Sequence, residues 1–198
     1  MRKIPTLFKR EFENHTVTKC LPELSDESLR WVLDGEGDAT IKWDGSCCAI
    51  IDGVFYKRYD AKKGKPMPEG AIPCQDKPDE ITGHWPCWVK VSVDKPEDRW
   101  FREAFWTAAN REDLVGEEGD WTYEAIGKHF QGNPYKMWFD RLVPHGKDVV
   151  DIPDRSYEGI KEYLRTNEIE GIVFWKDGKP RCKIKKTDFG FEWPIKEK

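Results

Sequence analysis

The sequence predicts an α+β protein made of antiparallel hairpins and a few amphipathic helices. Runs of β-favouring residues meet at tight-turn pairs such as Asp52-Gly53, which is typical of hairpins. Apolar residues at helical spacing, with capping residues at the ends, occur in three other segments. The 198 residues are 38% hydrophobic, enough for one core and at most a small accessory lobe. We therefore predict a single domain over residues 1–198.

The first half of the chain contains a helix, a hairpin and an irregular segment. Residues 26–37 place Leu29, Val32 and Leu33 on one helical face and end at a glycine. Residues 39–60 predict strands on both sides of the Asp-Gly pair, with Lys42 in or just before the first strand. Residues 60–96 are rich in proline and lack a sustained period, so we predict an irregular excursion there.

The second half alternates helices and strands. Residues 96–110 predict an amphipathic helix whose aromatic face belongs to the core. Residues 120–127 and 135–143 predict two strands, and residues 156–167 a second helix. A final hairpin is predicted around the turn at 176–179. These connections favour antiparallel pairing.

Composition and charge narrow the class of protein. The formal net charge is −4, but residues 176–186 form a basic stripe, the local pattern that can face a polyanion. No apolar run approaches the roughly 20 residues of a membrane span, and the N-terminal residues lack the apolar core of a secretory signal, so we expect a soluble, cytoplasmic protein. The six cysteines are expected to be reduced. Cys74, His84 and Cys87 lack paired Cys-x-x-Cys spacing, so they do not predict a zinc site.

Several short motifs follow one another in a recognisable order. Lys42-Trp43-Asp44-Gly45 comes first, and the later members are Arg58, Glu124 in "TYEAIG", Glu170 in "EGIV", and Lys183 and Lys185 in "KIK". Each motif alone carries little information. In this order they resemble the motifs of lysine-dependent nucleotidyltransferases, the superfamily of ATP-dependent DNA ligases, RNA ligases and mRNA capping enzymes.

Longer segments narrow the resemblance to one branch. The segments "KWDGSCC", "ITGHWPCWV", "TYEAIGKHFQGNPY", "LVPHG" and "GFEWP" are similar to the 5′-3′ RNA ligase family that also occurs in animals. The resemblance implies a nucleotidyltransferase (ATP-grasp-like) core of antiparallel sheets flanked by helices. It also implies no OB-fold domain, because only about a dozen residues follow the lysine pair.

The resemblance implies an ATP-dependent RNA ligase that joins 5′-phosphate and 3′-hydroxyl ends through a lysyl-AMP intermediate, as in RNA repair. The implied cofactors are ATP and Mg²⁺ or Mn²⁺, the implied partner is RNA, and a monomer is expected. A DNA nick ligase and an mRNA guanylyltransferase are alternatives with the same motifs. A nucleotide-binding or nucleic-acid-binding module without catalysis is the non-enzyme alternative.

Lys42 is the expected nucleophile, because a lysine amine can attack a phosphorus atom. An unperturbed lysine is almost wholly protonated at neutral pH, so its pKa must be depressed. Lys183 and Lys185, two residues apart on a strand, would face the same side, repel that proton and bind phosphate oxygens. Strand alternation would also place Asp44 on the face of Lys42.

The remaining roles come from the resemblance. Gly45 would allow close approach to the nucleotide, Glu124 would accept hydrogen bonds from the ribose, and Glu170 would bind the metal through water. Arg58 would bind a phosphate or the nucleic-acid end. The adenine-stacking aromatic stays open: Trp138 and Phe139 are candidates that suit a core equally well. Four residues are expected to be structural, namely His129, His145, Cys47 and Cys48.

Overall fold

The computed structural model describes residues 2–13, 16–80, 82–111, 114 and 121–194. The described strands are, in chain order, β1 (Phe8–Glu13), β2 (Thr16–Leu24), β3 (Asp38–Lys42), β4 (Ser46–Ile51), β5 (Val54–Ala61), β6 (Ile72–Pro73), β7 (Trp85–Lys90), β8 (Trp121–Ile126), β9 (Arg141–Pro144), β10 (Gly171–Lys176) and β11 (Lys179–Lys185). The described α-helices are α1 (Arg30–Leu33), α2 (Arg99–Asn110) and α3 (Tyr157–Thr166).

The α+β prediction is confirmed. All pairs of named strands within the described ranges are antiparallel. Asp52 and Gly53 have positive φ angles of 48° and 72°, as the tight turn between β4 and β5 requires. Asp177 and Gly178 repeat this conformation, at 53° and 67°, between β10 and β11. The two predicted hairpins therefore form where their turn residues place them.

The chain divides into two compact units. Unit 1 contains Met1–Lys3 and Asp44–His145, and unit 2 contains Ile4–Trp43 and Gly146–Lys198. Compact units of this kind also occur within single domains, so the one-domain assignment stays a prediction. In the described parts of both units, no helix combines the length and apolar character needed to cross a membrane.

Unit 2 contains a three-stranded sheet in the order β11-β10-β3. Strand alternation gives this sheet an apolar face, which packs with α3 in a core that contains fully buried side chains from all three strands, namely Ala39, Ile172, Phe174, Cys182 and Ile184. Lys183 in β11 donates its N–H to Pro5 O, and Ile41 in β3 donates to Asp148 O. The edges of both outer strands are thus hydrogen-bonded to other chain segments. By strand alternation, Lys42, Lys183 and Lys185 project from the face opposite the apolar core.

Unit 1 contains a six-stranded sheet in the order β6-β7-β5-β4-β8-β9. Helix α2 packs on one face through the buried Ala104 and Ala108. Phe101 and Phe105 contact other rings of that core, as predicted for the aromatic face. Trp106 is 65% exposed, because it lies on the opposite side of the helix.

Two secondary-structure predictions are wrong. Residues 85–90 are not irregular: they form β7, an internal strand with Cys87 and Trp88 buried. Pro86 obscured this strand because proline lacks an N–H, yet its carbonyl accepts a hydrogen bond from Cys74 N. Residues 135–140 are not a strand, since the chain turns through positive φ angles at Asn133 and Lys136 and strand β9 begins only at residue 141.

The expected strand continuity from Lys42 to Asp44 is also wrong. β3 ends at Lys42, β4 begins at Ser46, and the two strands belong to different sheets. The sequence placed Lys42 next to the β4–β5 hairpin, but β3 pairs with β10 instead. Lys42 and Asp44 therefore do not share a strand face.

Candidate functional site

Lys42 and Lys185 belong to one row across the sheet of unit 2. Lys42 pairs with Gly171 in β10, and Gly171 pairs with Lys185 in β11. Directly paired residues project from the same face of a sheet, so this row lies on the face opposite the apolar core. With neighbouring strands about 5 Å apart, the two lysine Cα atoms are separated by roughly 10 Å. Gly171 contributes no side chain to the space between them.

Glu170 connects these two lysines. Its side chain is only 10% exposed, one carboxylate oxygen accepts a hydrogen bond from Lys42 Nζ, and the other lies 3.8 Å from Lys185 Nζ. The backbone oxygen of Glu170 accepts a hydrogen bond of 2.8 Å from Lys186 N. Glu170 is therefore fixed at the entrance to β10, with its carboxylate directed to both amines.

Gly171 is required by the close approach of β11. A Cβ atom at this position would overlap the carbonyl oxygen of Ile184 and lie 3.0 Å from Lys185 Cα. Both atoms belong to the backbone, so a side-chain rotation cannot relieve the overlap. The glycine thus preserves the pairing that aligns Lys42 with Lys185.

Replacing Gly171 by alanine is expected to lower the free energy of unfolding by about 1–3 kcal/mol, because the methyl group overpacks the sheet. Urea denaturation measures the change. Gly178→Asn is the control in the same hairpin, since Gly178 faces open space and asparagine tolerates its positive φ. Equal losses in both variants would show that the overlap at Gly171 does not determine stability.

Lys183 lies on the same face, one row further along. It pairs with Val173, which pairs with Thr40 in β3, while Cys182 and Ile184 point into the core. The same-face arrangement expected for Lys183 and Lys185 is therefore observed.

Trp43 and Asp148 fix the end of β3 and thereby position Lys42. This role was not predicted from the sequence for either residue. Trp43 Nε1 donates a 2.7 Å hydrogen bond to Asp148 Oδ2, and the backbone of Asp148 accepts from Ile41 N at 2.9 Å. These two contacts bracket Lys42 in the sequence. They restrict the backbone from which the Lys42 side chain projects.

Arg58 and Glu124 lie on the face of the unit 1 sheet opposite α2. Glu124 pairs directly with Cys47, whereas the adjacent Cys48 pairs with Lys57. By strand alternation Arg58 projects from the same face as Cys47 and Glu124. Arg58 and Glu124 thus share one face of the unit 1 sheet, whereas Asp44 and Gly45 lie between β3 and β4.

Glu124 is held by a histidine that sequence analysis treated as structural. Glu124 Oε2 lies 3.0 Å from His145 Nε2, and His145 Nδ1 lies 3.0 Å from Thr122 Oγ1. The side chains of Glu124 and His145 are 13% and 18% exposed. His145 directly follows β9, which pairs with β8. Recognising that pairing from the sequence would have placed His145 near Glu124.

Arg58 is a partly buried cation. Burial tends to lower the pKa of its guanidinium, but the hydrogen bond and charge of Asp60 outweigh that effect, so the Arg58 pKa is raised. Its Nε donates to Asp60 Oδ1 at 2.8 Å. A permanently charged guanidinium with several donors is suited to binding phosphate.

Asp44 and Gly45 contact the rest of unit 1 through their backbones. Asp44 donates its N–H to Tyr135 Oη at 2.6 Å, and Gly45 O accepts from Gln131 Nε2 at 3.1 Å. A Cβ at Gly45 would overlap the carbonyl oxygen of Ala125. The close approach that explains this glycine is therefore to β8, next to Glu124.

Trp138 and Phe139 lie in the loop before β9 and not on a strand. Trp138 is 92% exposed and Phe139 is 40% exposed, so the core alternative does not apply to Trp138. The guanidinium of Arg111 lies 5.0 Å from the Phe139 ring centroid. These contacts do not identify either ring as the aromatic side chain that stacks on adenine.

The donor sets differ between the two units. In the described part of the chain, the carboxylate of Glu170 contacts Lys42 and lies near Lys185. A single carboxylate fits Mg²⁺, which retains several waters and is commonly completed by substrate phosphates. Within the described residues, one group brings together three potential protein ligands for a metal, and it consists of Cys47, Glu124 and His145.

The candidate residues are distributed over both units. Lys42, Glu170, Lys183 and Lys185 belong to unit 2, and Asp44, Gly45, Arg58 and Glu124 belong to unit 1. Lys42, Glu170 and Lys185 are brought together by direct contacts. Comparison of the chain with protein-family models and with curated proteins found no match.

Proposed function

We propose that the protein is an ATP-dependent RNA ligase that joins 5′-phosphate and 3′-hydroxyl ends through a lysyl-AMP intermediate on Lys42. The supporting observation is the contact of Lys42 with Glu170, next to Lys185, on the polar face of the β3–β10–β11 sheet. It combines an amine nucleophile, an orienting carboxylate and a cation for phosphate oxygens. The order of motifs along the chain supports the same activity, and a nucleotidyltransferase core is part of the proposal.

In the first step Lys42 Nζ loses a proton to solvent and then attacks the α-phosphorus of ATP. A nitrogen–phosphorus bond forms, the bond from the α-phosphorus to the bridging oxygen breaks, and pyrophosphate leaves. Glu170 accepts a hydrogen bond from Nζ and therefore orients the amine. Lys185 and Lys183 stabilise negative charge on the phosphate oxygens.

In the next steps AMP passes from Lys42 to the 5′-phosphate of RNA, and the amine is regenerated. The 3′-hydroxyl of the other end then attacks that phosphate and releases AMP, so one phosphodiester bond forms at the expense of the phosphoanhydride. Mg²⁺ or Mn²⁺ held by Glu170 would neutralise phosphate charge. Glu124 is proposed to accept hydrogen bonds from the ribose, and Arg58 to bind a phosphate of the nucleotide or of the RNA end.

The test is covalent labelling. The purified protein is incubated with Mg²⁺ and ATP labelled at the α-phosphate, denatured, and examined for label retained on the chain. Acid-labile, alkali-stable label supports a phosphoramidate, and its transfer to a 5′-phosphorylated oligonucleotide supports ligation. Label from GTP in place of ATP would favour a guanylyltransferase. Absence of any adduct with either nucleotide would favour a binding module.

RNA ends are expected to be sealed in preference to DNA ends. Lys186 is buried and its Nζ donates to Asn167 O, so phosphate contacts are proposed for the other basic residues of 176–185. Such contacts would not distinguish the two sugars, whereas a 2′-hydroxyl offers both a donor and an acceptor. Replacing the nucleotides next to the 3′-hydroxyl by deoxynucleotides is expected to reduce sealing about tenfold or more, since a site that hydrogen-bonds a hydroxyl discriminates strongly against its absence. Sealing of both RNA and DNA should weaken as salt rises.

The measurement is the initial rate of joining for matched all-RNA, all-DNA and terminally deoxy-substituted strands at one ionic strength. Pre-adenylylated strands, assayed in parallel without ATP, separate end joining from adenylylation. Equal rates for all-RNA and all-DNA strands would contradict the RNA assignment and favour the DNA ligase alternative.

A further inference from the structure

Cys47, Glu124 and His145 bring three metal-binding atoms together on the face of the unit 1 sheet opposite α2. Cys47 Sγ, a Glu124 carboxylate oxygen and a His145 ring nitrogen all lie within 4.8 Å of one another. Strand pairing produces this cluster, because Cys47 is directly opposite Glu124 and His145 follows the strand that pairs with β8 on its other side. We propose that these three side chains bind a transition-metal ion of the zinc class, with a fourth position open to water.

The donor types select the class of ion. Thiolate, imidazole and carboxylate together suit Zn²⁺ and similar ions, whereas Mg²⁺ prefers oxygen ligands alone. Ligands bound to one tetrahedral Zn²⁺ lie roughly 3–4 Å apart, given metal–ligand distances of about 2.0–2.3 Å. Side-chain movements of about 1 Å therefore bring the three atoms onto a single ion. This is a different site from the single carboxylate next to Lys42.

Thr122 gives the cluster a supporting contact. Its hydroxyl lies 3.0 Å from His145 Nδ1, and the backbone N–H of His145 donates to the Thr122 carbonyl at 3.0 Å. A hydrogen bond to the outer nitrogen is the usual way in which a metal-binding histidine is oriented. The imidazole is thereby fixed with Nε2 directed to Glu124.

His145 and Glu124 are in contact without a metal ion. The positions of the imidazole and thiol protons describe both the metal-free state and the metal-bound state. In the metal-free protein, an imidazole with its proton on Nε2 satisfies both contacts: it donates to Glu124 and accepts from the Thr122 hydroxyl at Nδ1. On metal binding, the imidazole proton is transferred to Nδ1, and the hydroxyl becomes the acceptor, which its lone pairs allow. Cys47 loses its thiol proton to solvent. A bound cation stabilises the thiolate form of the cysteine.

One consequence rests on the proposed function. Glu124 is also the proposed ribose acceptor, so a metal ion on Glu124 would compete with ATP. Direct metal binding can be measured without any ligase activity. Failure of metal binding and failure of the ligase proposal are therefore distinguishable results.

The test uses Co²⁺ as a spectroscopic substitute for zinc. The full chain is treated with chelator, transferred to metal-free buffer and titrated with Co²⁺ alone, without ATP or RNA. We expect a thiolate-to-cobalt charge-transfer band in the near ultraviolet and visible bands of tetrahedral intensity. Added Zn²⁺ should remove both, and excess Mg²⁺ should remove neither. Absence of the charge-transfer band in the unmodified protein would overturn the proposal.

Variants identify the ligands. Cys47→Ser should eliminate the charge-transfer band, and His145→Gln should weaken Co²⁺ binding by more than about tenfold. Thr122→Val, which removes only the supporting hydroxyl, should weaken binding about 10–100-fold. Cys74→Ser is the control, because Cys74 is a partly buried thiol of the same unit outside the cluster. Thermal unfolding of each metal-free variant verifies that it is folded.

Two outcomes would assign the metal elsewhere. A band that persists in Cys47→Ser, or is lost equally in Cys74→Ser, would show that other thiols bind the ion. Unchanged affinity in the folded His145→Gln variant would exclude the histidine as a ligand. The proposal requires the changes to be confined to the three named side chains and Thr122.

Discussion

Lys42→Ala is expected to abolish the covalent AMP adduct, because it removes the only atom proposed to attack ATP. Lys42 lies at the end of β3 with its side chain 23% exposed on the polar face of the sheet. The substitution therefore leaves the apolar core of unit 2 intact. Lys42→Arg should fail as well, since a guanidinium remains protonated and is a poor nucleophile. Formation of the adduct is measured with a saturating concentration of ATP labelled at the α-phosphate.

The control for Lys42 is Lys9→Ala, an exposed lysine on β1 of the same unit. This variant should form the adduct at the rate of the unmodified protein. Far-ultraviolet circular dichroism and thermal unfolding establish that all three variants are folded. An adduct formed by folded Lys42→Ala would show that another residue is the nucleophile.

Glu170→Gln is expected to reduce the rate of adduct formation on the order of 100-fold or more, a typical effect of removing a group that stabilises the reacting centre. The amide preserves the volume of the side chain but removes its negative charge. Lys42 and Lys185 then lose the carboxylate that both contact. The orientation of Lys42 Nζ and the proposed metal ligand are lost together.

Glu170→Gln should also destabilise the fold. Removing one partner from a buried ion pair costs about 3–5 kcal/mol, but Lys42 and Lys185 are 23% and 34% exposed, so solvent screening reduces the effect. We expect a loss of about 1–2 kcal/mol in the free energy of unfolding, measured by urea denaturation. Glu11→Gln, which changes an exposed carboxylate on β1 of the same unit, should change neither stability nor labelling.

A double-mutant cycle separates the two effects of Glu170. In the Lys185→Met background one of the two amines is absent, so Glu170→Gln should destabilise the protein less than it does in the unmodified chain. The loss of adduct formation should persist, because Lys42 still lacks its orienting partner. Full additivity of the two stability changes would show that Glu170 and Lys185 do not interact.

Local sequence signals determined most of the individual elements. Asp26 accepts from Ser28 N at the first turn, and Ser156 accepts from Gly159 N at the start of α3, as expected of N-cap residues. The Asp-Gly pairs produced both predicted hairpins. The two-residue spacing of Lys183 and Lys185 placed them on one face. These features depend on residues close together in the chain, so propensity and periodicity suffice to predict them.

Errors arose where the local signal was weak or misleading. Pro86 concealed β7, because the strand is stabilised by pairing with β5 and by burial rather than by its own propensity. The aromatic run at 135–140 suggested a strand, but positive φ angles at Gln131, Asn133 and Lys136 turn the chain into a loop. The ordered motifs predicted a nucleotidyltransferase, and this assignment stays a prediction.

The sequence by itself determined the α+β class, both hairpins and the identity of Lys42, Glu170, Lys183 and Lys185 as candidates. Only the tertiary structure decided that Glu170 contacts Lys42 across 128 residues of sequence, that Gly171 lies between Lys42 and Lys185, and that His145 joins Cys47 and Glu124. The register between distant strands is fixed by the burial of whole sheet faces. Shifting one strand by a single residue would move each of its side chains to the opposite face of the sheet. That long-range constraint is absent from any local window of sequence, which is why the cluster of Cys47, Glu124 and His145 was not predicted.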